Sequence, residues 1–354
     1  MVRKNKKVFK GCLVSLLLLT LLVGSLACAE EEPAPTITLV YTQHDPPGGF
    51  VDIFSKAMFD EVERRTNGQV IIEGHYAGEL AADFIQAYQA VLEGTVDIAF
   101  TSPAEIGGTF RLNNLMQFSN WSVRSQRSQV WTELYKKFPE VRAEWSKVKV
   151  LCLAAFYEGP MASSVPYRKL EDLKGRKYTG AGEMNSKKVQ ALGLTPVSVA
   201  PPDMFMSIQT GLVDGVTVGW FYYRDFGLFQ VMPYVTRVPL SQFPFSWVMN
   251  LDKWNELPSD VQEVFEDMFE SRYVAKLYDD MLWEEETKIR NEAASAYGST
   301  IIELPPDELA RWAQIDGEVA KKYAQDLEAE GLPGMKVLEE IFSLEEKYAK
   351  EELY

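Results

Sequence analysis

Histidine and cysteine are scarce: the 354 residues include two of the first and three of the second. A catalytic zinc site draws on several His or Cys ligands, and His44 and His75 do not supply one. There is no His-Glu-x-x-His pair, no Cys-x-x-Cys and no Gly-x-Ser-x-Gly elbow. No carboxylate pair stands out as an acid/base dyad; Glu284-Glu285-Glu286 reads as a solvated helix face. These absences point away from an enzyme and from any metal or cofactor, and leave His44 and His75 as loop or surface residues. Basic residues are also short, 36 against 51 acidic, for a net charge of -15. Five of the basic ones lie in residues 1–27, so the remainder carries -20. So acidic a body repels phosphate backbones, which excludes nucleic acid as a partner.

What is present is ordinary globular composition, 46% hydrophobic and 25% charged, in a chain long enough for two domains. The basic start is followed by the apolar run Leu13 to Ala27. That run is short of the ~20 residues of a membrane span, and its flanks describe a signal peptide over residues 1–27. Ser25-Leu26-Ala27-Cys28 resembles a bacterial lipoprotein cleavage site, with Ser25 where Leu is usual. Ser25 and Ala27, or Ala27 and Ala29, would equally serve an ordinary signal peptidase. On the lipoprotein reading Cys28 is acylated, residues 28–36 form a solvated tether, and the protein is extracytoplasmic and anchored. Cys12 leaves with the leader, and Cys152 is left alone in an apolar strand, so there is no disulfide framework.

The mature chain alternates strand and helix. Ile37–Tyr41, Val70–Glu73 and Val96–Phe100 read as strands, with helices at Phe50–Thr66 and Phe84–Glu93 between them. The same order restarts after Cys152: strand Arg176–Thr179, helix Glu183–Leu192, strand Pro196–Ala200, helix Pro202–Thr210, strand Val213–Val218. Such βαβ grammar predicts mostly parallel sheets with crossover helices. Gly94-Thr95-Val96-Asp97 and Gly211-Leu212-Val213-Asp214 repeat one phrase, each with Gly just past a helix. Two similar half-domains are the economical reading. Gly180-Ala181-Gly182 opens a helix after a strand, but Asn185 holds the third position of a nucleotide fingerprint. Its helix N-terminus would still favour an anion. From Ser259 to Tyr297 the chain has 39 residues without Gly or Pro. At ~1.5 Å per residue an unbroken helix there would be roughly 58 Å long, so it either crosses more than one domain or is broken. Helical stretches at Pro306–Glu330 and Met335–Tyr354 close the chain.

Seven phrases stand in order: Glu63 to Val70, Tyr76-Ala77-Gly78-Glu79-Leu80, Gly94 to Ala99, Leu170 to Lys177, Ala191 to Val197, Gly211 to Gly215 and Lys253 to Pro258. Together they resemble the DctP-type solute-binding proteins of tripartite ATP-independent periplasmic (TRAP) transporters. The resemblance implies an α/β fold: a two-lobed periplasmic-binding-protein clamshell, type II-like, with a long helix spanning both lobes and C-terminal helices. Lobe 1 would be residues 37–155 completed by parts of 250–354, lobe 2 residues 156–249, the long helix 259–297 and the C-terminal helices 305–354. It also implies the partners: a small organic solute trapped between the lobes, and the membrane subunits that receive it. A binding protein of an ABC importer shares the clamshell; an enzyme or a sensor lipoprotein on the same scaffold are further alternatives.

One position departs from the family. An Arg that binds the solute carboxylate is usual where this chain has Thr179. Either another Arg replaces it, Arg224 first and Arg111 or Arg176 after it, or the solute is not a simple carboxylate. Strand ends near Tyr41, Tyr157, Trp220 and Trp247 would bring aromatic residues to the cleft, with Gln43, Glu79, Glu158, Asn185 and Thr217 as polar candidates. A cleft rich in rings and poor in Arg suits an aromatic or amphiphilic acid.

Overall fold

The computed structural model describes residues 36–121, 125–156, 158–180 and 182–349. The leader, Cys28 and Tyr157 lie outside the described residues. Lobe 1 is built on a sheet of order β2-β1-β3-β10-β4. Its strands are β1 (Ile37–Thr42), β2 (Val70–His75), β3 (Ile98–Thr101), β4 (Val148–Ala155) and β10 (Pro244–Asn250). The first three are parallel; β10 returns antiparallel between β3 and β4. Helix α1 (Phe50–Arg65) buries Phe50, Phe54, Met58 and Val62, a single stripe at four-residue spacing. Helix α2 (Phe84–Glu93) is capped by Asp83, whose side chain accepts from Gln86 N, and ends at Gly94 with φ 71°.

Lobe 2 carries the order β11-β9-β5-β8-β6-β7. Here β5 is Met161–Ser163, β6 Lys177–Gly180, β7 Thr195–Pro196, β8 Gly215–Thr217, β9 Tyr234–Arg237 and β11 Thr300–Glu303. Helix α5 (Gly182–Ala191) follows β6, and α6 (Met204–Gln209) precedes β8. Strand β5 is antiparallel to β8 and β9, mirroring the role of β10 in lobe 1. The repeated glycine phrase is a repeated structure, because Gly211 also ends its helix with positive φ, 73°. An alanine there adopts the left-handed region at a cost. Gly94→Ala and Gly211→Ala should each lower stability by about 1 kcal/mol in chemical denaturation.

The chain crosses between lobes after β4 and after β9, and again after α10 (Tyr273–Ser295). The gap-free stretch 259–297 is two helices: α9 (Ser259–Glu270) stops, and Arg272 turns left-handed (φ 63°) before α10 starts. The Arg272 guanidinium donates to Glu133 and to the Tyr348 hydroxyl, which holds this turn in place. A non-glycine left-handed residue costs roughly 1–2 kcal/mol, and composition alone does not announce it. Helix α10, at 23 residues roughly 34 Å long, packs on α3 (Arg127–Lys137) and β4 in lobe 1 and on α7 (Trp220–Asp225) and β11 in lobe 2. Helices α11 (Pro306–Ala329) and α12 (Gly334–Lys347) pack on each other, α11 also against α5 and α12 against α3. The strand expected over Pro196–Ala200 is confined to Thr195–Pro196. Among the described residues, no helix is long and apolar enough to cross a membrane.

Candidate functional site

In open α/β sheets ligands bind outside the carboxyl ends of parallel strands. Here the ends of β6 and β8 border the space between the lobes. A small cavity of about 20 Å³, room for roughly one water, is lined by Phe84, Phe156, Thr217, Val218, Tyr222, Ser241 and Phe243, with Pro201 and Met204. A second space of about 200 Å³ lies beside it, between Asp83, Phe84, Ile85 and Glu105 on lobe 1 and Gly180, Gly182 and Ser198–Pro201 on lobe 2. Phe84 and Pro201 line both. The walls of the first are rings: Phe84 lies 5.9 Å from Phe243 and 6.0 Å from Phe245, and Phe156 lies 5.6 Å from Phe245. An organic solute needs far more room than one water, so these walls must part to admit it.

The polar groups are few and mostly neutral. Thr217 Oγ1 donates to Gly159 O at 2.8 Å, and Asn185 Nδ2 donates to Ser241 Oγ at 3.0 Å. Thr179 is buried and its Oγ1 has no hydrogen-bond partner among the described residues. The Gly182 amide, at the start of α5, donates to the Glu105 carboxylate across the cleft, so this helix end already holds an anion of the chain. Burial, with the charge of Asp83 added, raises the Glu105 carboxyl above its ordinary range. Beyond the end of β1, His44 and Asp45 are both buried, with His44 Nε2 3.6 Å from Asp45 Oδ2. Burial raises the Asp45 carboxyl, and the Tyr222 hydroxyl donates to it.

The structure brings some of the expected residues to this space and not others. Thr217 is on the cavity wall; Asn185 is bonded to Ser241, which is on it. Gln43 is buried, accepting from the Tyr41 hydroxyl at 2.7 Å. Arg224 does not line either space: Asp225 takes its Nε and Nη2, and Glu285 takes Nη1. Asp225 in turn accepts from Phe50 N at 3.1 Å, so Arg224 takes part in a contact between the lobes. Glu158 is buried against Arg237 at 3.0 Å and Arg290 at 3.8 Å. Glu79 is on the surface beside His75, at 3.1 Å. Trp220 and Trp247 are core residues; the Trp247 indole donates to Ser55 Oγ at 2.9 Å and to the Tyr41 hydroxyl at 3.2 Å. His44 is a loop residue, as expected, but a buried one. Arg111 pairs with Glu330 and Arg176 with Asp214, both away from the cleft. Among the described residues, no cluster of three or more His, Cys, Asp or Glu could hold a metal.

The family model described as bacterial extracellular solute-binding protein, family 7 (DctP), matches residues 44–326. The chain belongs to that family. Its members are the solute-binding proteins of TRAP transporters, which bind small molecules outside the cytoplasm and pass them to membrane subunits. A sequence relative is the ectoine-binding periplasmic protein TeaA of Halomonas elongata, 23% identical over 338 residues, 92% of this chain and 95% of the relative. Two solved structures share the fold at a TM-score of 0.82. One is a marine metagenome TRAP protein specific for aromatic acid ligands, in complex with 3-hydroxybenzoate (22% identity, 90% of this chain, 100% of that one). The other is a TRAP protein of Rhodoferax ferrireducens with copurified benzoate (21% identity, 88% and 98%).

The candidate cleft has walls that the sequence did not mark: Phe84, Phe156, Ser241, Phe243 and Tyr222. Phe84 carried a usable signal, as the first helical residue after the Asp83 cap on the cleft side of α2. Ser241 and Phe243 sit on the second crossover, which no periodicity marks.

Proposed function

We propose that the protein captures a small organic acid with a flat, aromatic body and hands it to the membrane subunits of a TRAP-type transporter, held near them by a lipid on Cys28. The observation that carries this reading is the cavity between the lobes, walled by Phe84, Phe156 and Phe243 over the neutral hydroxyls of Thr217 and Ser241. Rings prefer edge-to-face or offset partners, worth about 0.5–1.5 kcal/mol each beyond their buried area. A slot of rings therefore selects an aromatic guest over a sugar or a polyhydroxy acid. The aromatic acids bound by two proteins of the same fold support the choice. Closure is a hinge equilibrium that a ligand shifts only by preferring the closed form. Tethering raises the local concentration near the membrane partner.

The test is mass spectrometry of the small molecules released from purified protein, with a thermal-shift screen of benzoate, 3-hydroxybenzoate, mandelate, pyroglutamate and ectoine. An aromatic acid at 100 times its Kd should stabilise by about 2.7 kcal/mol, a shift of several degrees, and be recovered unaltered. Ectoine alone shifting the curve would overturn the aromatic-acid reading; conversion of the bound molecule would overturn a pure binding role. Cys28→Ser should move the protein from the membrane fraction to the soluble extracytoplasmic fraction. Retention at the membrane would refute the anchor.

A further inference from the structure

A carboxylate solute needs a donor in this cleft, and the usual cations are committed. Thr179 stands where the family resemblance implies Arg. Arg224 is held by Asp225 and Glu285, Arg237 and Arg290 by Glu158, and Lys188 by Asp316. One basic side chain packed behind the cleft wall is different. His44 follows the carboxyl end of β1, its side chain 2% exposed. Its ring meets Phe84, the residue common to both spaces, edge-on at 4.4 Å, and lies 6.1 Å from Phe100 in a stacked arrangement. Neither Nδ1 nor Nε2 has a hydrogen-bond partner among the described residues. Buried polar groups are nearly always bonded, and an unbonded one costs about 1–3 kcal/mol. Here a whole imidazole carries that cost directly behind Phe84, which walls both spaces. The nearby Asp45 is at ion-pair range, 3.6 Å from Nε2, but makes no hydrogen bond to the ring.

We propose that His44 is the anchor for the solute carboxylate, its ring N–H donating to a carboxylate oxygen while the solute ring lies against Phe84. This rests on the organic-acid reading above. A carboxylate brought against the ring favours the imidazolium. An imidazolium–carboxylate hydrogen bond is charge-assisted and roughly twice as strong as a neutral one. It also supplies the partner that the buried ring lacks. An imidazole has one N–H on each side rather than a guanidinium fork, so the site should favour monocarboxylates over bidentate dicarboxylates.

The experiment is calorimetric titration of the wild type, His44→Asn and His44→Gln with benzoate and with its uncharged isostere benzamide. Wild type should prefer benzoate by at least about 30-fold. Both variants should lose at least about tenfold on benzoate and keep their benzamide affinity, so the preference collapses. Thermal denaturation of the free variants reports folding. Because the chain has only two histidines, a ¹⁵N spectrum of the imidazoles gives a readout that needs no variant. On saturation with benzoate the His44 resonances should move to the imidazolium pattern while those of His75 stay. Unchanged benzoate affinity in the variants, or a His44 signal that does not respond in a protein that does bind benzoate, would overturn the anchor and leave the organic-acid reading standing. If the wild type binds none of the acids screened, the reading itself falls and the anchor with it.

Discussion

Arg127→Met should lower the stability of the free protein by about 3–5 kcal/mol. Arg127 and Glu345 are both fully buried side chains, paired directly. The guanidinium also donates to Met116 O and Phe118 O, and the second Glu345 oxygen accepts from Asn120 N at 2.7 Å. A second buried pair flanks the same segment. Lys188 reaches Asp316 at 3.2 Å, Leu240 O at 2.9 Å and Gln117 O, while Asp316 accepts from the Trp121 indole at 3.0 Å. Residues 116–121 are thus strapped between two ion pairs that join α3 and α12 on one side and α5 and α11 on the other. Removing Arg127 leaves a buried carboxylate without its directly paired cation, the costly half of a buried pair. The Glu345 carboxyl is already pushed up to about 7 by burial, against the opposing pull of Arg127. Without Arg127 it is pushed further. A folded-state pKa above the unfolded one means that the native form holds the extra proton, so stability falls as pH rises through the window between the two. The destabilisation by Arg127→Met should therefore be larger at pH 8 than at pH 5, read as the shift of the guanidinium-chloride midpoint. The double variant Arg127→Met, Glu345→Leu should recover most of the loss and flatten that pH dependence. A single variant that loses under 1 kcal/mol at both pH values would refute this account.

The parts of the fold that sequence disclosed are those with a local cause. The α1 stripe Phe50, Phe54, Met58 and Val62 repeats at helical spacing, and Gly94 and Gly211 end helices by positive φ. Strands β5 and β10 left no such trace. Every residue of Pro244–Met249 is buried, so the run lacks alternation, and its partners β3 and β4 lie some 90 to 150 residues away. The break at Arg272 was equally silent, because Glu133 and Tyr348, distant in sequence, hold it.

The candidate site divides along the same line. Thr217 lines the cavity and Asn185 bonds to Ser241 on its wall, positions that follow from closing or opening elements of a parallel sheet. Arg224, Trp220 and Trp247 stand away from both spaces, because strand-end position does not report which face a side chain takes. Trp247 turns into the lobe 1 core to reach Ser55, and Arg224 turns to Glu285 on α10. Two histidines make no metal site, so the sequence predicts His44 on a loop or the surface; its burial comes from Phe84 and Phe100, which only the folded chain brings beside it.

Gly159→Ala should uncouple the lobes from the solute. The two crossovers meet at Gly159 and Ser241. A Cβ on Gly159 would sit 2.4 Å from Ser241 O and 2.5 Å from Ser241 Cβ, with the Phe156 ring at 3.1 Å. The first of these is backbone and cannot rotate away, so the crossovers must separate. Gly159 O also accepts from Thr217 Oγ1 at 2.8 Å and from Ser241 N at 3.4 Å. Phe156, Thr217 and Ser241 all line the cavity, so the displacement falls on its walls. Overpacking of this kind costs about 1–3 kcal/mol, and wall displacement should raise the Kd for benzoate more than tenfold. Gly317→Ala is the matched control. Its Cβ meets nothing within 4 Å, and it lies inside α11, so alanine there should stabilise by about 0.5–1 kcal/mol and leave the Kd alone. Titrations of both variants at 20 °C, well below their melting transitions, separate folding from fit. If Gly159→Ala loses stability yet binds benzoate as tightly as wild type, the contact is packing alone and the shape of the cleft is set elsewhere.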